Sequence, residues 1–267
     1  MRVFVSADIE GTAGITVWDE ANPGHPDYAY FREQMTREVA AACEGAVTAG
    51  AADVVVRDAH WNARNLDPSA LPLSVRLIRG HTGDLYTMLS GIQCQPFDAC
   101  MMTGYHSAAG TDANPLAHTF SSKTYEYILL NGELLSEFRY NAYMAATLNV
   151  PVVFISGDEG ICREAETLIP GITTVVTNVG RGAGTMSIHP RLAVQRIRES
   201  VQIALSGDSS LCHIALPKTF TLTVRYRDHS AAHAKSYYPG ASMDGAKTIV
   251  YTSSSFYEIQ RAVRFIL

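Results

Sequence analysis

The sequence predicts an α/β protein: a mostly parallel sheet flanked by helices, followed by a smaller C-terminal α+β lobe. Short apolar, β-rich runs at residues 3–6, 54–57, 99–103 and 152–155 alternate with helical patterns, the order expected when helices carry the chain between parallel strands. Each run is nearly continuous rather than alternating in polarity, as a strand covered on both faces requires. The rhythm changes after Gly207, so a soft division is expected there. Residues 1–207 would form the α/β domain, and residues 208–267 a lobe packed on it.

Taken in order, the first two runs are separated by Met35, Val39, Ala42, Cys43 and Ala46, which recur at helical spacing. Gly50 follows, where the chain needs a left-handed residue to leave the helix. Leu85, Met88 and Leu89 predict a short helix, and residues 137–148 a second one rich in small side chains. Pro190, suited to a first helical turn, opens a longer helix with Leu192, Ile197, Val201 and Leu205 as its inward stripe. Residues 219–227 and 248–252 read as strands and residues 256–266 as a closing helix. No internal repeat or low-complexity segment interrupts this order.

Composition narrows the function classes. Of 267 residues 47% are hydrophobic and 18% charged, and no stretch approaches the roughly 20 apolar residues of a membrane span. Met1 leads directly into Val3-Phe4-Val5 without a basic region and long apolar segment, so no secretory leader is expected and the predicted location is cytoplasmic. Five cysteines, an odd number with no C-x-x-C pair, argue against a disulfide framework and against a cysteine zinc knot. A net charge of -5 without a basic cluster lacks the footprint of a nucleic-acid binder.

Chemistry collects where the apolar runs end. The four runs lead into Asp8-Ile9-Glu10-Gly11, Asp58-Ala59-His60, Gly104-Tyr105-His106 and Gly157-Asp158-Glu159. The carboxyl ends of parallel strands form the ligand crevice of an open sheet, so groups distant in sequence can meet there. Asp8 and Glu10, two apart on extended chain, can point the same way, as can Asp58 and His60. A lone acid after a strand ordinarily caps a helix. Several carboxylates in one dry crevice instead need a cation to stay ionised. Carboxylate with imidazole suits zinc, and also manganese or iron.

Ser6-Ala7-Asp8-Ile9-Glu10-Gly11 with Gly14 resembles the opening motif of the D-aminopeptidase family, the dipeptide-transport-operon aminopeptidases. The resemblance continues through Asp58-Ala59-His60, Gly104-Tyr105-His106, His118, Glu137 with Asn141-Ala142-Tyr143, Gly157-Asp158, and Leu168-Ile169-Pro170 with Thr173-Thr174. It implies two zinc ions per subunit in a self-compartmentalising homodecameric ring that hydrolyses short peptides with a D-residue at the amino end. Carried over by motif, Asp8 bridges the metals, Glu10 and His60 complete one site, and His106 and Glu137 the other. His118 stands beside them as a catalytic group. Glu133 is set aside because the family's acid lies four residues before the Asn-Ala-Tyr segment, which selects Glu137. The loop at residues 107–117 is expected to shape the substrate pocket.

Two other readings accompany this one: a metal-dependent hydrolase of another small amide, such as a peptidoglycan fragment or an L-peptide, and a non-catalytic oligomeric metal-binding protein. Asp158 is a candidate anchor for the substrate's amino group. His229 and His233 are read as a surface or subunit-contact pair. Gly180-Arg181-Gly182-Ala183-Gly184 lacks the Lys-Ser/Thr of a P-loop and is read as a mobile or substrate-lining loop. No G-x-S-x-G elbow is present. Trp18, Tyr28 and Tyr30 are assigned to the core or a subunit contact.

Overall fold

The structure, a computed structural model describing residues 1–267, builds two sheets from a chain that crosses between them. Its elements in order are β1 (Arg2–Ala7), α1 (Trp18–Ala21), α2 (Tyr28–Thr48), β2 (Asp53–Asp58), β3 (Val75–Ile78), β4 (Ala99–Tyr105), β5 (Tyr125–Leu130) and β6 (Glu133–Leu134). There follow α3 (Glu137–Thr147), β7 (Val152–Asp158), α4 (Glu159–Leu168), β8 (Thr173–Arg181), β9 (Gly184–Ser187), α5 (Pro190–Ser206), β10 (Phe220–Tyr226), α6 (His229–Lys235), β11 (Ala241–Met243), β12 (Thr248–Ser253) and α7 (Phe256–Ile266). No helix is long and apolar enough to cross a membrane.

The larger sheet has the order β3-β2-β1-β4-β7-β8-β9, parallel throughout except for the β8–β9 hairpin. All of β4 and β7, and all but the first residue of β1 and β2, are buried, which is why these runs are continuously apolar in sequence. The chain moves outward from β1 to β2 and β3, then returns to β1's other side for β4 and continues to β7 and β8. With right-handed crossovers, this reversal places α2 on one face and α3 and α4 on the other. It also opens a crevice between the carboxyl ends of β1 and β4, the position at which doubly wound sheets bind ligands.

Met35, Val39, Ala42, Cys43 and Ala46 of α2 are all buried, and α2 packs on α5. Their approach depends on Gly45, where an added Cβ would lie 2.5 Å from the Arg198 carbonyl oxygen. The inward stripe of α5 is Ala193, Ile197 and Val201, with Leu205 half-buried. Leu192 is only half-buried, because small Ala193 rather than Leu192 meets the sheet at four-residue spacing from Ile197. The helix expected around Leu85 is a single 3-10 turn at Thr87–Leu89, where Thr87 has a positive φ of 47°.

The second sheet is antiparallel, in the order β11-β12-β10-β5-β6. Burial alternates along β10, as on a sheet with one covered and one solvated face, and α7 packs against β10 and β12. Strands β5 and β6 precede α3 in the chain, so this sheet is assembled from segments on both sides of Gly207. Tyr143 of α3, Phe220 of β10 and Phe256 of α7 meet edge to face, and a single apolar core runs through both sheets.

Candidate metal centre

The crevice between β1 and β4 is closed by backbone contact. Asp8 donates its N–H to Thr103 O (2.9 Å) and Gly11 to Gly104 O (2.8 Å), laying residues 8–11 across the end of β4. Only glycine permits this. A Cβ on Gly11 would overlap the Tyr105 carbonyl, and one on Gly104, at φ +69°, would overlap the Asp8 carbonyl. The carboxylates of Asp8 and Glu10 are thereby set beside His106. His60 enters from the turn after β2, and Glu137 is the first residue of α3, capped by Ser136, which accepts from the Arg139 N–H. A carboxylate is favoured at that helix end. Glu137 is further fixed by the Phe120 N–H donating to its Oε1 at 2.7 Å.

Five groups from four separate segments converge. His60 Nδ1 lies 3.2 Å from Asp8 Oδ1 and 3.1 Å from Glu10 Oε2. His106 Nε2 lies 3.5 Å from both Asp8 Oδ2 and Glu137 Oε2. The two oxygens of Asp8 thus face different imidazoles. His118 joins them: its Nε2 is 3.8 Å from Glu137 Oε1 and 4.0 Å from Glu10 Oε1, and its ring stacks on His106 at 4.2 Å. Two ligand groupings emerge, Asp8 with Glu10 and His106, and His106 with His118 and Glu137.

The residues fit a metal in two respects. Asp8 Oδ2, Glu10 Oε2 and His106 Nε2 are buried with no hydrogen-bond partner, an arrangement that costs stability unless a cation completes it. Each histidine also directs its other nitrogen to a backbone carbonyl: His60 Nε2 to Ala21 O (2.8 Å), His106 Nδ1 to Ser107 O (3.0 Å) and His118 Nδ1 to Leu116 O (2.9 Å). Such a hydrogen bond selects the tautomer whose lone pair faces the carboxylates, as in the outer shell of metal-bound histidines. Because His118 shares this orientation, its position is compatible with ligation as well as with proton transfer.

The buried charges of the cluster act strongly on one another. Burial and the neighbouring Glu10 raise Asp8 to about 7. Burial would also raise Glu10, but His60, His106 and His118 together hold it well below the usual carboxylate range. Burial opposes charge on His106, yet Glu137, Glu10 and Asp8 raise it to about 10. Burial and the adjacent His106 instead draw His118 below the ordinary histidine value.

Other candidates are placed elsewhere. Asp58 spends its oxygens on the Asn65 and Leu66 N–H groups and the Asn65 side chain, shaping the turn that presents His60. Asp158 cannot anchor a substrate amine: it is fully buried, caps α4 through the Ile161 N–H, and accepts from Ser107 and Asn114. Glu133 is exposed on β6. The loop at 107–117 reaches the centre through Asn114, which also donates to Glu10 O at 3.1 Å. His229 and His233 are exposed on α6, and residues 180–184 are the tip of the β8–β9 hairpin, with Gly180, Arg181 and Gly184 paired in the ladder and residues 182–183 as the turn. Trp18, assigned from sequence to core or subunit contact, packs edge-on against His118 at 5.0 Å; no local pattern in the sequence marks that contact. The centre opens into a cavity of about 1120 Å³ lined in part by Asp8, Glu10, Trp18, His60, His118 and Glu137.

Comparison with known proteins agrees with this geometry. A family model described as D-aminopeptidase matches residues 1–265. The chain belongs to the D-aminopeptidase family. Among relatives of this family, a D-aminopeptidase of Bacillus subtilis (strain 168) is 26% identical over 266 residues, covering 98% of this chain and 95% of its own length. A solved structure, the Zn-dependent D-aminopeptidase DppA from Bacillus subtilis, a self-compartmentalizing protease, superimposes with a TM-score of 0.92 at 24% identity, covering 100% of this chain and 96% of that one. This D-aminopeptidase-family chain therefore shares the relative's fold along its whole length.

Proposed function

We propose that this member of the D-aminopeptidase family is a dinuclear zinc aminopeptidase acting on short peptides with an N-terminal D-residue, of the D-Ala-D-Ala type. One observation carries the reading: three imidazoles, each oriented by a backbone carbonyl, face three buried carboxylates, and Asp8 Oδ2, Glu10 Oε2 and His106 Nε2 among them have no hydrogen-bond partner. Asp8, with its oxygens facing opposite sides, would bridge two ions; Glu10 and His60 would hold one, His106 and Glu137 the other. Zinc, when bound, lowers the pKa of a coordinated water to about 7 and polarises a carbonyl oxygen. His118, at the cavity wall with its Nε2 lone pair turned inward, would accept a proton from the attacking water at Nε2 and pass it to the leaving amine nitrogen. Trp18 holds the His118 ring from its open side and limits water there.

The zinc dependence and self-compartmentalizing assembly of the Bacillus subtilis relative support two zinc ions and a homodecameric ring here as well. Large apolar side chains exposed on the isolated chain, among them Leu73, Met186, Tyr237 and Phe265, supply area for subunit contact. Light scattering on the purified protein tests the assembly. All five cysteines are free, with Cys94 exposed, which suits the reducing cytoplasm.

The deciding experiment is metal analysis with a panel of D- and L-dipeptides, run on wild type and on Asp8→Asn. Metal-dependent release of D-alanine is expected. Hydrolysis of other amides alone would favour the second reading, another small amide such as a peptidoglycan fragment or an L-peptide. Bound metal with no turnover would make the protein a non-catalytic metal binder.

A further inference from the structure

Arg57 lines the same cavity as the candidate metal centre but has no part in that centre. It is 3% exposed, and its Nε is buried without a partner. The guanidinium makes one hydrogen bond, from Nη1 to Gly80 O at 2.5 Å. Its acidic neighbours are engaged elsewhere: Asp58 with Asn65 and Leu66, and Asp84 with Ser90, Gln93 and the Tyr86 N–H. A buried arginine with unspent donors costs stability unless a ligand matches them. The cavity's other cations, His81, Lys123 and Arg264, are exposed at its rim, where water screens them.

The register supplies the distance. Arg57 pairs with Ser6 across the parallel β1–β2 ladder, and in-register neighbours point to one face. Ser6 donates to Met88 O, and Met88 lines the cavity, so that face is the cavity side. Asp8 lies two residues farther along the chain, just past the end of β1. Arg57 and Asp8 are therefore one strand (about 4.8 Å) and two residues (about 6.6 Å) apart in backbone position. Its bond to Gly80, beyond the end of β3, brings the guanidinium to the carboxyl edge of the sheet, on the β3 side of β2, where it lines the cavity that the metal centre opens into. A dipeptide spans about 7 Å.

We propose that Arg57 binds the free C-terminal carboxylate of the substrate, making the site selective for very short peptides with an unblocked C-terminus. This rests on the aminopeptidase reading above. Arg57 is a specificity residue: guanidinium and carboxylate match in charge and planar geometry, and the contact is remote from the bond being cleaved.

The test compares D-Ala-D-Ala with D-alanyl-D-alaninamide, which lacks the carboxylate, on the zinc-loaded full chain. The wild type binds the acid more tightly than the amide. Arg57→Gln raises KM for the acid about ten- to a hundredfold, the loss expected of one charge-assisted contact. It leaves the amide's KM and both kcat values within about threefold, and Arg57→Lys recovers part of the preference. Equal losses on both substrates with unchanged zinc content, or an unchanged KM for the acid, would overturn the proposal. Should Arg57→Gln fail to fold, calorimetric binding of the two ligands to wild type still decides, since no preference for the acid defeats it. Failure of wild type to hydrolyse either compound would instead defeat the aminopeptidase reading, while the binding comparison continues to judge Arg57.

Discussion

At the carboxyl edge of the seven-stranded sheet, Asp8, Glu10, His60, His106 and Glu137 are at most 7% exposed, and several of their atoms have no partner. On the five-stranded sheet charged side chains stand in the open: Glu126 meets Arg225 at 2.7 Å and Lys247 at 3.6 Å, each side chain about a third exposed. Exposed pairs of this kind contribute at most about 1 kcal/mol, because water and salt screen them. Buried, like-charged groups cannot be screened and need a cation or protons instead. Charge alone therefore does not mark a site in this protein; charge that burial leaves uncompensated does.

The substitution that breaks this contrast most severely is Asp8→Asn. Zinc per protomer, measured by mass spectrometry, is expected to fall below half of the wild-type content, and turnover of D-Ala-D-Ala by at least about a thousandfold. Retention of full metal and activity would show that the unpartnered oxygens have another purpose. His118→Ala separates ligation from proton transfer. Zinc content is expected to hold while turnover falls about a hundred- to ten-thousandfold; loss of one zinc would make His118 a ligand instead.

Glu38 supplies a control, a buried acid standing alone. Its Oε1 accepts from the Ala13 N–H and Gln34, its Oε2 has no partner, and burial raises it from 4.5 to about 7. The folded state thus holds the proton more tightly than the unfolded chain, so its contribution is complete below about pH 4.5 and is lost as pH rises through 7. Denaturant titrations should show wild type losing up to about 3 kcal/mol relative to Glu38→Gln across that window. A constant difference would mean that Glu38 does not change protonation on unfolding. The smallest effect is expected on the other sheet, where Arg225→Gln should leave the denaturant midpoint close to that of wild type, with zinc content and turnover unchanged.

Much of this was legible beforehand. The continuous apolar runs predicted the buried strands β1, β2, β4 and β7, since burial on both faces leaves no place for polar residues. The strand-end motifs named the acids and imidazoles that converge, and the resemblance selected buried Glu137 over exposed Glu133. Strand β5 carries the apolar run Tyr127-Ile128-Leu129-Leu130 but is only part-buried and has Glu126 between two tyrosines, so it does not fit the pattern of a strand covered on both faces. Edge strand β3, four residues long and nowhere fully buried, also left too little pattern to read.

The sequence by itself determined which segments are strands buried on both faces and which chemical groups stand at their ends, because burial and residue type are local properties of the chain. Tertiary structure decided which of those groups meet. Asp58 and Asp158 occupy the same kind of strand-end position as Asp8, yet their oxygens are consumed by a turn and a helix cap. Asp8 keeps one oxygen bare because Gly11 and Gly104 press its loop against a neighbouring strand. That difference depends on contacts about a hundred residues apart, and no local pattern encodes it.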